Sequence, residues 1–284
     1  MGQAGTGVDE STDTAAPGSL TVPLLVLAGG ILATVVAFLG AGVVGGTPVA
    51  EAAGGWLGQD ATPVAPATPA FRIWSVIYLG LLAYSVWQLL PAQRRSSRQR
   101  TLRPWAAASM VLNAAWIWSV QLDQLTLSLV VIVVLLGVLV RILLLTLEAP
   151  AESRLGAVVA DGTFGLYLGW VTVATVANVA AVLAANGLEG LGPPAGRWDD
   201  VAAAVVLAAA AGVGVATAWR SGGRLAPAVG LGWGLAWIGV GRLDGDWASA
   251  ITATAAFLAA VVVLVAAVMV RPAGPVPSRD GLPS

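Results

Sequence analysis

The 284-residue chain contains no histidine, no cysteine and no lysine, so all fourteen of its basic residues are arginine. Without lysine, a Schiff base is excluded within this chain, and with it a retinal pigment or lysine-based covalent catalysis. Without histidine and cysteine, the usual axial haem ligands, zinc sites, iron–sulfur clusters and disulfides are excluded as well. We therefore expect no metal site of these kinds and no covalent cofactor, and a porphyrin or haem would have to be held non-covalently by packing.

Charge is also scarce, at 10% of residues, whereas 57% are hydrophobic and the mean hydropathy is +0.84. A net charge of −1 leaves no large basic face for phosphates, so we expect no nucleic-acid partner. Apolar stretches of about 20 residues, long enough to cross a bilayer, recur along the chain. They predict an all-α, polytopic membrane bundle of about eight transmembrane helices, at residues 20–44, 70–90, 105–121, 125–147, 155–183, 201–219, 225–240 and 247–270.

Arginines predict the orientation of the bundle. Five of them, from Arg94 to Arg103, lie between the second and third spans, and such clusters mark cytoplasmic loops. Both termini are then cytoplasmic, and we expect a multi-pass protein of a bacterial cytoplasmic membrane. The acidic start of the chain does not resemble a signal peptide, so the first span is predicted to be retained. Residues 1–19 and 271–284 are predicted disordered tails, and the Gly- and Pro-rich segment 187–200 is predicted to be an external loop.

Three apolar segments carry unusual polar and aromatic residues: FRIWSVIY at 71–78, LNAAWIW at 112–118 and YLGWVTVATVAN at 167–178. Their spacing of three and four residues places these side chains on one face of each helix. If the faces converge, they form a box of flat rings with a few polar groups, in which Ala174 leaves room beside Trp170. The candidate ligand-binding residues are Phe71, Trp74, Tyr78, Asn113, Trp116, Tyr167, Trp170, Ala174 and Asn178. The alternative is that these aromatic and amide side chains only pack the helices together.

Two charges lie inside predicted spans, Arg141 and Asp161. An unpaired charge at depth costs several kcal/mol. Both residues are six positions from the inner ends of their spans, at a depth of about 9 Å. We therefore predict a structural ion pair between them, with a gate or a proton-linked site as the alternative.

Two glycine pairs, Gly165 with Gly169 and Gly230 with Gly234, have the four-residue spacing that permits close helix contact. This contact would lie either within the chain or in a homodimer.

The three segments resemble the tryptophan-rich sensory protein family, also called the TspO/MBR or translocator protein family. Residues Trp74 to Tyr78 match its W-x-x-L-Y pattern, residues 112–116 its L-N-x-x-W element, and residues 170–178 its W-V-x-x-A-T-x-x-N element. The resemblance covers residues 20–186 and implies a five-helix membrane domain, followed by a three-helix extension at 201–270. Paired prolines common in the family before the second helix are separated here. By analogy only, Trp56 and Asp60 would belong to a lid.

The resemblance implies a membrane receptor or sensor whose partners are the lipid bilayer and a hydrophobic small molecule, tetrapyrrole or sterol-like. We do not expect an enzyme, although light-dependent degradation of a bound porphyrin is implied for some members of the family. Two other functions stay open at this point. One is a transporter or permease for small hydrophobic solutes, and the other is a membrane scaffold that binds no ligand.

Overall fold

The computed structural model describes residues 21–40, 48–187 and 197–271. The predicted tails, apart from Arg271, and most of the predicted loop 187–200 lie outside them. The described chain is helical without strands, which confirms the predicted all-α polytopic bundle. Its eight long helices are α1 (Thr21–Gly40), α2 (Ile73–Trp87), α3 (Ser97–Gln121), α4 (Leu125–Glu148), α5 (Arg154–Ala185), α6 (Arg197–Arg220), α7 (Leu225–Gly241) and α8 (Ala250–Val270).

Five helical stretches of the described chain are long and apolar enough to cross a membrane: Thr68–Trp87, α4, α5, Asp199–Arg220 and α8. The described apolar part of α1 and the whole of α7 are shorter. Helix α3 begins at Ser97, eight residues before the predicted span, because Ser96 caps it by accepting a hydrogen bond from the Gln99 backbone N–H. Arginines in its first turns exclude that part from an apolar span but not from a helix.

The helices form two hydrophobic cores that meet at α5. In the first core, α1 packs against α2 and α3, α3 against α4, and α4 against α5. In the second, α7 packs against α5, and α8 packs against both α6 and α7. Helix α5 therefore has packing partners on both sides, and it is the element through which the last three helices join the rest.

Glycines bring α5 and α7 into backbone contact. A Cβ atom added at Gly169 would lie 2.1 Å from the carbonyl oxygen of Pro227, and one added at Gly230 would lie 2.3 Å from that of Leu166. Only glycine permits this separation, since real Cβ atoms do not approach backbone atoms so closely. The glycine pairs predicted from the sequence thus meet each other inside the chain.

The ion pair predicted between Arg141 and Asp161 is wrong. Arg141 lies 3.3 Å from Glu148, and the side chains of both are well exposed, at 41% and 62%. The depth of Arg141 does not fix the direction in which it points. Its neighbour Ile142 belongs to the buried face of α4, so Arg141 is rotated about 100° away from that face.

Asp161 instead lies between two other arginines. Arg98 of α3 donates a hydrogen bond to one carboxylate oxygen, and the Arg224 guanidinium lies 3.6 Å from the other. Arg98 also donates to the carbonyl of Ala149 at 2.6 Å, and Arg224 donates twice to Thr146, at 2.7 Å each. This network joins α3, α4, α5 and the start of α7 at the end of the bundle opposite the loop that precedes α2.

Candidate aromatic ligand site

Trp74 lies at the centre of an aromatic cluster formed by α2, α3 and α5. Its ring centroid is 5.3 Å from that of Tyr78, 5.7 Å from Tyr167, 6.0 Å from Trp116 and 6.1 Å from Trp170. The Trp74 and Tyr78 rings are stacked with an interplanar angle of 18°, whereas Trp170 and Tyr167 meet Trp74 edge-on. Such stacked and edge-on geometries are the favourable ones for aromatic pairs.

A short 3₁₀ turn, Thr68–Arg72, leads into α2 and positions the first ring of the cluster. Phe71 lies on this turn, and its ring meets Trp170 edge-on at 5.8 Å. Trp74 and Tyr78 follow at spacings of three and four residues, so all three rings point to the same side of α2. The three helical faces singled out in the sequence are therefore in contact in the structure, whereas their role in binding a ligand stays a prediction.

Two amide side chains connect the rings to neighbouring helices. Asn113 donates from Nδ2 to the Tyr78 hydroxyl oxygen at 2.8 Å. The Asn178 side-chain oxygen accepts from Trp116 Nε1 at 3.4 Å and from the Ser128 hydroxyl at 3.1 Å. Asn178 thus joins α3, α4 and α5. Its contacts fit the packing interpretation better than a ligand role.

Ala174 serves the same junction through its backbone. Its carbonyl accepts a hydrogen bond from Asn178 Nδ2 at 2.9 Å. Its small side chain is buried beside the cluster. Ala174 is therefore part of this helix junction, whereas its role in a ligand site stays a prediction.

Two buried polar atoms of the cluster have no hydrogen-bond partner within the described chain, the Trp170 indole N–H and the Asn113 side-chain oxygen. Leaving a buried donor or acceptor unpaired costs about 1–3 kcal/mol. One atom is a donor and the other an acceptor, and both belong to residues that were predicted to bind a ligand. The cluster can therefore offer one hydrogen bond of each kind to a bound molecule.

The rings themselves fill the space that the sequence analysis assigned to a ligand. Trp116, Tyr167 and Trp170 are almost fully buried, and Trp74 and Tyr78 are only 9% and 8% exposed. Because Trp74 contacts four other rings directly, a ligand can enter the cluster only if a ring turns aside. Trp74 and Tyr78 are the most exposed of these five.

A family model described as TSPO-like protein matches residues 24–269, which is most of the chain. The chain belongs to the TSPO-like family. Together with its apolar helices, this membership establishes an integral, multi-pass membrane protein and indicates a receptor or sensor kind of function. The match continues through α6, α7 and α8, so the resemblance does not end near residue 186 as the sequence motifs suggested. No curated protein and no solved structure matches the chain.

Two residues of this TSPO-like chain that the sequence analysis did not assign to the site border it from α7. Trp233 donates its indole N–H to the Ala70 carbonyl at 2.9 Å, next to Phe71. Trp237 packs against the first core, and its carbonyl accepts from the Ala67 N–H at 3.1 Å. Their four-residue spacing does place them on one helical face. Nothing in the sequence indicates that this face meets a turn more than 160 residues earlier.

The connection between α7 and α8 holds the loop before α2, hereafter the first loop (residues 48–72). The Arg242 guanidinium donates to the carbonyls of Thr62 at 3.0 Å and Gln59 at 2.6 Å. The Trp247 indole donates to the Asp60 carbonyl at 3.1 Å. Burial lowers the pKa of Arg242 from its ordinary value, and the nearby Asp60 carboxylate acts in the opposite direction. The TSPO-like fold here thus includes a first loop held in place by the last helices.

Proposed function

We propose that this TSPO-like protein is a membrane receptor or sensor that binds a flat hydrophobic ligand, tetrapyrrole or sterol-like, at the aromatic cluster. The observation that carries the proposal is that two buried polar atoms of the cluster, the Trp170 indole N–H donor and the Asn113 side-chain oxygen acceptor, have no hydrogen-bond partner within the described chain. A porphyrin has carboxylate oxygens and pyrrole N–H groups, and a sterol hydroxyl both donates and accepts. Either ligand class matches the two atoms while presenting a large apolar surface to the rings.

Binding would exchange one aromatic contact for another. Trp74 and Tyr78 are stacked with a centroid separation of 5.3 Å, and an aromatic pair contributes about 0.5–1.5 kcal/mol beyond the burial of its surface. A flat ligand that displaces one ring can stack on the ring that remains, which offsets the cost of opening the cluster. The chain supplies packing and two hydrogen bonds in this proposal, and no catalytic step is assigned to it.

The test is a titration of purified, detergent-solubilised protein with protoporphyrin, followed by porphyrin absorbance and by quenching of tryptophan fluorescence. The variant Trp170→Phe keeps a ring and removes the N–H donor. Trp219→Phe is the matched control, because Trp219 is 70% exposed on α6 and lies outside the cluster. We expect saturable binding whose dissociation constant rises about two- to tenfold in Trp170→Phe, because one hydrogen bond to the ligand is lost. The dissociation constant of Trp219→Phe should equal that of the parent.

A signal that rises linearly and equally in all three proteins would show partition of porphyrin into detergent and would refute the proposal. A sterol added as competitor separates the two ligand classes, since only a shared site allows displacement. Uptake of the bound compound into sealed vesicles would instead favour the transporter interpretation.

A further inference from the structure

The first loop is attached to α7 and to the α7–α8 connection by hydrogen bonds spread along its length. Arg242 binds the carbonyls of Gln59 and Thr62, and Trp247 binds that of Asp60. Further along the loop, Ala67 donates its N–H to a carbonyl of α7, and Ala70 accepts the indole N–H of Trp233. Every one of these contacts uses a backbone group of the loop, so each fixes the path of the chain rather than a side chain.

Arg242 is the strongest of these attachments. Its side chain is only 1% exposed, and its guanidinium is paired with carbonyl oxygens at 2.6 and 3.0 Å. Hydrogen bonds to charged groups contribute more than neutral ones, about 1.5–3 kcal/mol each. Moving the loop away would leave this charge without its acceptors unless water replaced them, so loop and arginine have to move together.

The attached segment leads directly into the aromatic cluster. Ala70 is bound by Trp233, and the next residue, Phe71, is the ring that meets Trp170. Trp74 follows after one helical turn. The path of residues 59–70 therefore sets where Phe71 and Trp74 stand, and any opening of the cluster at this end of the bundle has to displace the loop.

We propose that Arg242 is a positioning residue of the ligand site, which holds the first loop across the end of the aromatic cluster so that ligand exchange requires the loop to separate from α7. The inference rests on the proposed function for its ligand. It assigns the control of that site to the last three helices of the chain.

A reversible covalent bond between loop and helix tests this directly. A Cβ atom added at Gly241 would lie 3.5 Å from the Cβ of Ala67, which is within the range of disulfides, about 3.5–4.5 Å. The chain has no native cysteine, so the double variant Ala67→Cys/Gly241→Cys forms one defined disulfide. Each single-cysteine variant is a matched control that cannot form it.

We expect the oxidised double variant to bind and release protoporphyrin at least tenfold more slowly than the same protein after reduction. The single variants should show no effect of reductant. Arg242→Gln, which removes the charge, should speed both steps, and Arg242→Lys should fall between it and the parent because an ammonium is a point charge without the planar fork. Equal exchange rates in the oxidised and reduced double variant would overturn the inference.

Hydrogen–deuterium exchange separates this inference from the proposed function, because it needs no ligand. Arg242→Gln should speed amide exchange in residues 59–74 while leaving exchange in α4 unchanged. Saturable binding with equal exchange rates in the oxidised and reduced double variant would refute the role of Arg242 in ligand exchange. It would leave the proposed ligand site intact. Faster amide exchange in the loop of Arg242→Gln, without saturable binding of protoporphyrin to the parent, would refute the proposed function. Arg242 would then remain the residue that positions Phe71. Unchanged loop exchange in Arg242→Gln would refute the positioning role itself.

Discussion

A single methyl group at Gly230 tests the contact between α5 and α7. In Gly230→Ala the new Cβ would lie 2.3 Å from the Leu166 carbonyl oxygen and 2.9 Å from the Trp170 backbone nitrogen. Ordinary van der Waals contact begins at 3.4 Å, so the helices must separate locally by about 1 Å. Because the opposing atoms belong to a helix backbone, they cannot rotate away as the end of a side chain would.

The magnitude follows from two opposing effects. Overpacking of a tight contact costs about 1–3 kcal/mol, and replacing glycine by alanine inside a helix returns about 0.5–1 kcal/mol. Since the contacted groups are backbone, we expect a cost near the upper end and a net loss of about 2 kcal/mol in the free energy of unfolding. The tryptophan signal should change as well, because the displaced nitrogen belongs to Trp170.

The assay is unfolding in mixed detergent micelles, followed by tryptophan fluorescence, with Gly212→Ala as the matched control. A Cβ at Gly212, within α6, meets no atom within 4 Å. This control should therefore be as stable as the parent or slightly more stable. Equal stability of Gly230→Ala and Gly212→Ala would contradict a close backbone contact between α5 and α7.

Three further substitutions separate groups that are paired in the interior from those that are paired at the surface. Asp161→Asn should lower stability by about 3–5 kcal/mol, because it leaves two arginines without their carboxylate, and unfolding equal to the parent would contradict the network. Arg141→Leu should change the free energy of unfolding by less than about 1 kcal/mol, since its pair with Glu148 is exposed. A larger loss would show that Arg141 is paired in the interior after all. Tyr78→Phe should cost about 1–3 kcal/mol by leaving the buried Asn113 amide without its acceptor, and a neutral result in the same unfolding assay would show that water replaces the hydroxyl.

Spacing along a helix proved a good guide to the site. The rings of Trp74, Trp116 and Trp170 belong to three helices, and in each case the three- and four-residue periodicity identified the face that turns inward. Composition likewise predicted the membrane and the all-helical bundle. These inferences depend on the composition of a segment and on the spacing of residues within one helix, and both can be read from the sequence of that segment alone.

The errors arose where rotation or long-range contact decided the outcome. Arg141 and Asp161 have similar predicted depths, yet depth says nothing about the side of a helix on which a residue lies. The role of Trp233 and Arg242 depends on contacts with residues 163 and more positions earlier in the chain. No periodicity within one segment encodes such a contact, and the family motifs known from the first five helices gave no reason to look for it.

The glycine contact between α5 and α7 also determines how far a disturbance at the site travels. No side chain lies between the Trp170 backbone and Gly230 to absorb a displacement. A movement of one helix is therefore passed directly to the backbone of the other. A molecule that pushes Trp170 outward therefore pushes α7. Through this contact the last three helices would move together with the aromatic cluster, and a ligand bound there as proposed would change their position.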